Sequence, residues 1–468
     1  MIKKLFFLSY FAVPAFLSAQ NIQQALSVAV RKLEADPQFK HAIISLYIVE
    51  GKTGKPVYEK NAQLGLAPAS CQKVITSVTA FELLGKDYKY KTEFGYNGKL
   101  ENGSLNGNLY IVGHGDPTFG SWRWKETTEA FITKKIMDEL NKSGINGANN
   151  FIIDNTKWGT QTLPDGWIWQ DIGNYYGAGC SSFNWHENQY DIVLKPGKKV
   201  GDEVEILSPN PLGIVKTISE LKTAEKGSGD NAYVYYAPYS MISFIRGTIP
   251  LGVDSFTITA SSVDGANLFQ NKVILAMYNS GIPVVHVKTN LTNYLQNDHF
   301  DGKMEKSIFT FNSPAFDSIN YWFLKKSINL YGEAFVKTIA YEKTGLGSTD
   351  TGIAIIKNFW NKNGIDKAAL KIIDGSGLSP ANRITTNALV RIMQYAKDKP
   401  WFGSFYNALP EMNGIKMKDG YIGGVRSYTG YIKNKSGMEY TFSFIVNNFD
   451  GNVATVREKM WKVLDLLK

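Results

Sequence analysis

Cysteine is almost absent from this 468-residue chain: only Cys71 and Cys180 occur. That excludes a disulfide-rich scaffold and any cysteine zinc site. The two could pair in an exported protein, or sit as buried thiols that behave as small apolar residues. Histidine is nearly as scarce, with five residues in no ligand spacing. The sequence therefore calls for no metal and no other cofactor. After the first residues there is no run of some twenty uninterrupted apolar residues, so no transmembrane segment is expected in the mature chain. Internal repeats and low-complexity linkers are also missing. The basic residues are not gathered into a stripe, which gives no reason to expect a nucleic-acid partner.

What is present begins with an export signal. Met1-Ile2-Lys3-Lys4 is basic, Leu5 to Leu17 is apolar, and Ser18-Ala19-Gln20 follows. A basic start, a short apolar core and small residues before a break describe a secretory signal peptide over 1–19. Cleavage is expected near Ala19 or Gln20. The mature protein is then expected in the periplasm, soluble or peripheral to the membrane. The formal charge of the whole chain is +9, suited to an anionic polymer or surface, or simply to solubility.

The length exceeds what one core usually supports. His41 to Val49 reads as a strand, Gly51 to Gly54 as a hairpin turn and Pro56 to Glu59 as the partner strand. A helix is expected from Ser70, with Val74, Ile75, Val78, Phe81 and Leu84 at helical spacing and Gly85 as its stop. From about Tyr88 to Ser262 short β runs alternate with Gly, Asn and Pro turns. Helical patterning returns from Ala266 to Asn279, Ser313 to Tyr341 and Thr385 to Ala396. Strands follow over Val425 to Ile432 and Glu439 to Asn447, then a last helix over Val453 to Leu467. Strands at both chain ends with helices between predict an α/β domain over 20–87 and 263–468. The segment 88–262 reads as a β-rich insertion.

Ser70-Cys71-Gln72-Lys73 puts a serine and a lysine three apart, one turn from each other on a helix. A serine hydroxyl is a weak nucleophile until a base takes its proton. A lysine serves only if desolvation or a neighbouring cation lowers its pKa. Alone, the spacing also describes a helix N-terminus with a solvated lysine. Companions occur downstream. Ser327-Ile328-Asn329 offers a hydroxyl and an amide two apart. Asp374-Gly-Ser-Gly-Leu-Ser-Pro-Ala-Asn-Arg-Ile-Thr385 is a tight turn leading into a helix. Lys418-Asp419-Gly420 precedes a C-terminal strand, where a glycine lets substrate approach the backbone.

In this order, Pro68-Ala69-Ser70-x-x-Lys73, Ser327-x-Asn329, the Asp374 run and Lys418-x-Gly420 resemble the D-alanyl-D-alanine carboxypeptidase/endopeptidase family, peptidase family S13, in its class C, penicillin-binding-protein-4 type. Gly113-His-Gly-Asp-Pro-Thr118, Asp171-Ile-Gly-Asn-Tyr-Tyr-Gly-Ala-Gly-Cys180 and Asn184-Trp-x-Glu-Asn-Gln-Tyr190 look like further blocks of it. The resemblance spans nearly the whole mature chain. It implies a penicillin-recognising, β-lactamase-like α/β domain, an antiparallel sheet with helices, interrupted by inserted domains. It implies hydrolysis of peptidoglycan stem peptides or cross-links, and covalent inhibition by β-lactams.

Carried over by motif, Ser70 is the acylated nucleophile and Lys73 its base. Ser327 passes the proton to the leaving D-alanine and Asn329 holds the peptide. Lys418 complements the substrate carboxylate and keeps Lys73 deprotonated. The N–H groups of Ser70 and Tyr421 form the oxyanion hole, with Gly420 between Asp419 and Tyr421 on the substrate side. In the insertion, Trp167-Ile-Trp-Gln-Asp171 resembles a segment near the stem peptide. Asp171 there either pairs with a cationic group or belongs to a structural turn with aromatic packing. Gly113 to Thr118 reads as a structural loop.

The literal string Lys-Thr-Gly occurs twice, both times outside the motif order. Lys52-Thr53-Gly54 lies in the first hairpin, and Lys343-Thr344-Gly345 closes a helix with Gly345 as its cap. Asp419 is a departure, because the family carries Thr or Ser there, a donor to the substrate carboxylate. An ionised Asp cannot donate, and two like charges at about 4 Å cost roughly 4 kcal/mol at an effective dielectric near 20. Neutralisation by Lys418 or Arg426, protonation, or a scissile bond with a different carboxylate position would relieve this. Otherwise the chain is a binding-only homologue with impaired turnover. A β-lactamase or esterase on the same fold is a third reading, disfavoured by the long insertion.

Overall fold

The structure is a computed structural model that describes residues 13–208, 215–262, 264–289 and 302–468, with side chains from Asn21 onward. The export signal expected over 1–19 lies largely outside the described residues. The chain divides into two compact units. One comprises residues 1–75, 364–371 and 382–468, the other 76–363 and 372–381.

The first unit is built on a six-stranded antiparallel sheet. Its order is Glu411–Met412, Ile415–Ile422, Val425–Lys433, Glu439–Asn447, Ile43–Glu50, Pro56–Lys60. The early hairpin joins the late strands because Ile43–Glu50 pairs with Glu439–Asn447 along its whole length, from Ile43 opposite Asn447 to Glu50 opposite Tyr440. Both central strands are buried on both faces, and each face is covered by helices. Leu26, Val30 and Leu33 of the helix Val13–Glu34 and Val456 and Met460 of the helix Val453–Leu464 pack on Leu46, Ile48, Phe442 and Phe444. On the other side Val390, from the helix Thr386–Lys397, meets Tyr47, Val49 and Ala62. Burying a Leu, Ile or Phe side chain contributes about 1.5–3 kcal/mol, so this two-sided core holds the sheet.

The second unit holds the β-rich part of the chain. Its largest sheet runs Val284–Lys288, Gly147–Asp154, Ser104–Gly113, Lys91–Tyr96, Lys306–Asn312. The β-rich part therefore does not close at residue 262. Val284–Lys288 and Lys306–Asn312 form the two edges of that sheet, through parallel pairing with Gly147–Asp154 and antiparallel pairing with Lys91–Tyr96. The unit is also not purely β. Ile132, Ile136, Met137 and Leu140 give the helix Glu129–Lys142 a buried stripe, which the turn-rich surroundings hide in the sequence. Phe119, Phe183 and Trp185 meet Phe269 with ring centroids 4.9–6.1 Å apart, in edge-to-face and tilted contacts favoured by ring quadrupoles.

The helical run expected from Ser313 to Tyr341 is two helices, Phe316–Lys325 and Asn329–Thr344. The second is buried nearly all round, and Gly345 ends it at φ 81° as a left-handed cap. Among the described residues no helix is long and apolar enough to cross a membrane.

Candidate active site

In the first unit the backbone ahead of Ser70 is pinned at Leu66, Ala67 and Pro68. Leu66 exchanges backbone hydrogen bonds with Ile384. The Ala67 N–H donates to Asn447 Oδ1 at 2.9 Å, and its carbonyl accepts from Asn447 Nδ2 at 3.0 Å. The Pro68 carbonyl accepts from the Ser427 hydroxyl. Ala69 is fully buried and sits at φ 45°, a left-handed conformation that costs a residue with a Cβ on the order of 1 kcal/mol or more. The bonds on either side hold it there.

Ala69–Gln72 then forms a single 3₁₀ turn, and the α-helix starts only at Lys73, running to Leu83. The helix expected from Ser70 thus opens with a tighter turn. Ser70 is partly exposed while Lys73 is wholly buried. Lys73 Nζ donates to Ser70 Oγ at 2.9 Å.

Lys418 lies inside the strand Ile415–Ile422, directly ahead of the expected C-terminal strand Val425–Lys433. Lys418 through Tyr421 pair with Thr429 through Arg426 on the next strand. A Cβ placed on Gly420 would lie 2.8 Å from Ser70 N and 2.7 Å from Pro68 O. Only glycine lets this strand run so close to the Ser70 turn. Cys71 ties the two together by donating its thiol to the Lys418 carbonyl at 3.2 Å. Burial pushes that thiol up to about 11, which keeps it protonated. Cys71 and Cys180 are both free and buried, so the open question of their pairing is answered by two thiols.

Asp419 holds both neighbouring cations. Its Oδ1 accepts from Lys418 Nζ at 3.1 Å and its Oδ2 from Arg426 Nη2 at 3.1 Å. Arg426 Nε donates to Tyr428 Oη at 2.8 Å. Burial pushes the Asp419 carboxyl up, but Lys418 and Arg426 outweigh it and leave it below the ordinary carboxylate value. Of the open options, neutralisation by cations is the one the geometry supports, and protonation is not. Tyr421 is half exposed.

In the second unit Ser327 is the middle of the three residues between the two helices, at φ 56°, and Asn329 is the first residue of the second helix. The Asn329 side chain is buried and donates to the Tyr176 carbonyl at 2.7 Å. Ser327 and Asn329 line a cavity of about 330 Å³ with Arg123, Tyr176, Gln189 and Lys326. Behind it lies a buried carboxylate. Glu187 accepts from Arg123 Nε at 2.6 Å and Nη2 at 3.0 Å, from Tyr331 Oη at 2.7 Å and from Ser121 Oγ at 2.8 Å. Asn184 and Asn188 bind each other and nearby backbone, so the block Asn184 to Tyr190 shapes this turn.

The Asp374 run is held the same way. Glu333 accepts from Gly375 N with both oxygens, at 2.9 and 3.1 Å. Asp374 accepts from Gly377 N, from Ser379 N and from Trp167 Nε1 at 2.9 Å. Trp167 thus serves the loop. Asp171 sits in the short helix Trp169–Ile172, where burial alone pushes its carboxyl up to about 6. Asp116 caps its own loop by accepting from the Thr118 N–H and hydroxyl, as a structural reading of Gly113–Thr118 requires.

A sequence model of the D-Ala-D-Ala carboxypeptidase 3 (S13) family matches residues 26–466. The chain belongs to that family. As an S13 member it is a serine-type D-Ala-D-Ala carboxypeptidase. It is 24% identical over 450 residues to a D-alanyl-D-alanine carboxypeptidase of Actinomadura sp. (strain R39), covering 89% of this chain and 80% of that protein. It is 23% identical to the D-alanyl-D-alanine carboxypeptidase DacB of Haemophilus influenzae, covering 84% of this chain and 83% of that one. Its fold is similar to the crystal structure of penicillin binding protein 4 (dacB) from Haemophilus influenzae, with TM-score 0.79 and 18% identity over 95% of this chain and 99% of that one.

The S13 motifs left several residues unseen. Asn447 and Ser427 reach the turn before Ser70 from strands some 360 to 380 positions away in sequence, and nothing local marks them. Glu333 had a signal: from Leu330 to Ala340 it and Lys337 are the two charged residues in a largely apolar stretch of the helix, and buried charges are kept where they hold something.

Proposed function

We propose that this S13 member hydrolyses peptidoglycan stem peptides or cross-links through an acyl-enzyme on Ser70. The observation that carries the reading is the 2.9 Å contact between the buried Lys73 amine and the reachable Ser70 hydroxyl. Lys73 takes the serine proton as Oγ attacks the D-alanyl carbonyl. The oxyanion is received by the Ser70 and Tyr421 N–H groups. The C–N bond then breaks, Ser327 delivers a proton to the leaving amine, and Asn329 holds the peptide. Water hydrolyses the ester and returns the proton to Lys73. Lys418 keeps the region cationic and Gly420 leaves room for the strand beside the nucleophile. Asp171 pairs with a cationic group of the stem peptide.

The chain is exported behind residues 1–19 and works in the periplasm on the cell wall. β-Lactams acylate Ser70, in keeping with the penicillin binding protein 4 from Haemophilus influenzae, whose crystal structure is also known as a complex with a β-lactam. We further propose that residues 20–87 and the chain after Asn312 supply the catalytic domain, and that the part inserted at residue 88 runs on to Asn312, where its sheet ends. The alternative is a peptidoglycan-binding homologue with impaired turnover, favoured by the engagement of Lys418 with Asp419. Release of D-alanine from a peptide ending in D-Ala-D-Ala, lost in Ser70→Ala, supports the enzyme reading. A folded protein that binds peptidoglycan and releases nothing supports the alternative.

A further inference from the structure

Strand residues 418–421 are the closest part of the sheet to the nucleophile turn, since the backbone of Gly420 abuts Ser70 N and Pro68 O. Asp419 is the side chain next to that contact. It is about one-third exposed, while its partners Lys418 and Arg426 are 1% and 12% exposed. The group presented outward is therefore a carboxylate, with the cations behind it. Both cations are engaged: Lys418 Nζ donates to the Asp419 carbonyl at 2.8 Å as well as to its carboxylate, and Arg426 is shared between Asp419 and Tyr428.

An ionised carboxylate only accepts hydrogen bonds, at up to about four lone-pair sites. Lys418 and Arg426 account for one bond on each oxygen. What remains is acceptor capacity, with no donor of its own for an incoming anion. A free carboxylate on the leaving residue meets a like charge and two cations it must share. A carboxamide in its place offers two N–H donors, carries no charge, and matches the acceptors.

We propose that Asp419 is a specificity-determining residue that selects leaving residues ending in a carboxamide over those ending in a free carboxylate. This rests on the hydrolytic reading above and names its leaving group. The reaction is otherwise the same. The Ser70 Oγ–C bond forms as the scissile C–N bond breaks, and the serine proton leaves on the amine of the amino-acid amide. Water then cleaves the ester to give the free acid and restore Ser70.

The test uses two synthetic peptides with one acyl side, ending in D-Ala-D-Ala and in D-Ala-D-Ala-amide, with release of D-alanine or D-alaninamide followed by mass spectrometry. In the wild type, kcat/KM for the amide is expected to exceed that for the acid by about tenfold, the bare repulsion being reduced by the two cations. Asp419→Thr supplies a donor and is expected to reverse the preference. Asp419→Asn keeps the shape, removes the charge, and is expected to abolish it, which covers the case where the threonine variant misfolds. Ser70-dependent turnover with the acid equal or preferred in the wild type overturns the proposal alone, as does a ratio that neither variant changes. Absence of Ser70-dependent turnover of both peptides overturns the hydrolytic reading and the proposal with it.

Discussion

The turn before Ser70 and the turn before Asn329 solve one geometric problem with different chemistry. Each contains a residue with a Cβ in the left-handed region, Ala69 at φ 45° and Ser327 at φ 56°. Around Ala69 the bonds that hold the turn join neutral groups: the Asn447 amide, the Ser427 hydroxyl and the Cys71 thiol. Around Ser327 and Asn329 the scaffold is charged and buried: Glu187 with Arg123 and Tyr331, and Glu333 on the Gly375 amide. A neutral hydrogen bond contributes about 0.5–1.5 kcal/mol. Breaking a buried ion pair by removing one partner costs about 3–5 kcal/mol, because the other charge is left unpaired. The second turn should therefore fail by losing the fold, the first by losing geometry.

The largest effect on chemistry is expected from Lys73→Ala, which removes the proposed base and leaves the serine hydroxyl in place. Acylation should fall by a factor on the order of 10³ or more, read by the rate of penicillin labelling, with the melting temperature showing that the fold persists. Next comes Arg123→Leu. It strands Glu187 in the interior and should lower stability by about 3–5 kcal/mol in urea unfolding. A loss below about 1 kcal/mol would mean that Tyr331 and Ser121 suffice for that carboxylate and would erase the contrast between the two turns.

Asn447→Ala should be milder in stability and sharper in rate. It unpairs the N–H and carbonyl of Ala67, for about 1–3 kcal/mol, and lets the nucleophile turn drift. Slower labelling at a temperature where the variant is fully folded is the expected result. Unchanged labelling would show that Ser427 and Cys71 hold the turn without it.

Asp171→Asn should have the smallest effect, visible as a change in pH dependence. The folded carboxyl is pushed up to about 6 from 3.8, so the folded state binds the proton more tightly than the unfolded chain. Its contribution to stability is present at low pH and falls as pH rises from about 4 to 6. The asparagine variant should flatten this part of the melting curve, although Asp116 and Asp264, also pushed up to about 6 by burial, keep some slope. If Asp171 pairs with a cationic stem-peptide group, wild-type affinity for an amine-bearing peptide should rise through pH 6, and the variant's should not.

These residues also show what the sequence reveals and what it withholds. The antiparallel sheet was legible because Ile43–Glu50 and Glu439–Asn447 are apolar runs at opposite ends of the chain, and two-sided burial needs both. That the Ser70–Lys73 turn and the Lys418–Gly420 strand lie together was legible because the motifs occur in a fixed order. The break at Ser327 was not, since apolar spacing continues across Lys326 to Asn329 and only the backbone at φ 56° interrupts it. The edge strands Val284–Lys288 and Lys306–Asn312 were hidden because register with Gly147–Asp154 and Lys91–Tyr96 is a long-range property. Asp419 was visible as a departure, but its meaning depended on Arg426 reaching across the strand pair, which no local pattern encodes.

The most direct test of the Ser70–Lys73 centre is intact mass of the purified mature protein after incubation with a fluorescent penicillin, with Ser70→Ala alongside. A stable adduct of one penicillin per chain, absent from the variant, is expected. A folded wild-type protein that forms no adduct, or a Ser70→Ala protein that still does, would contradict it.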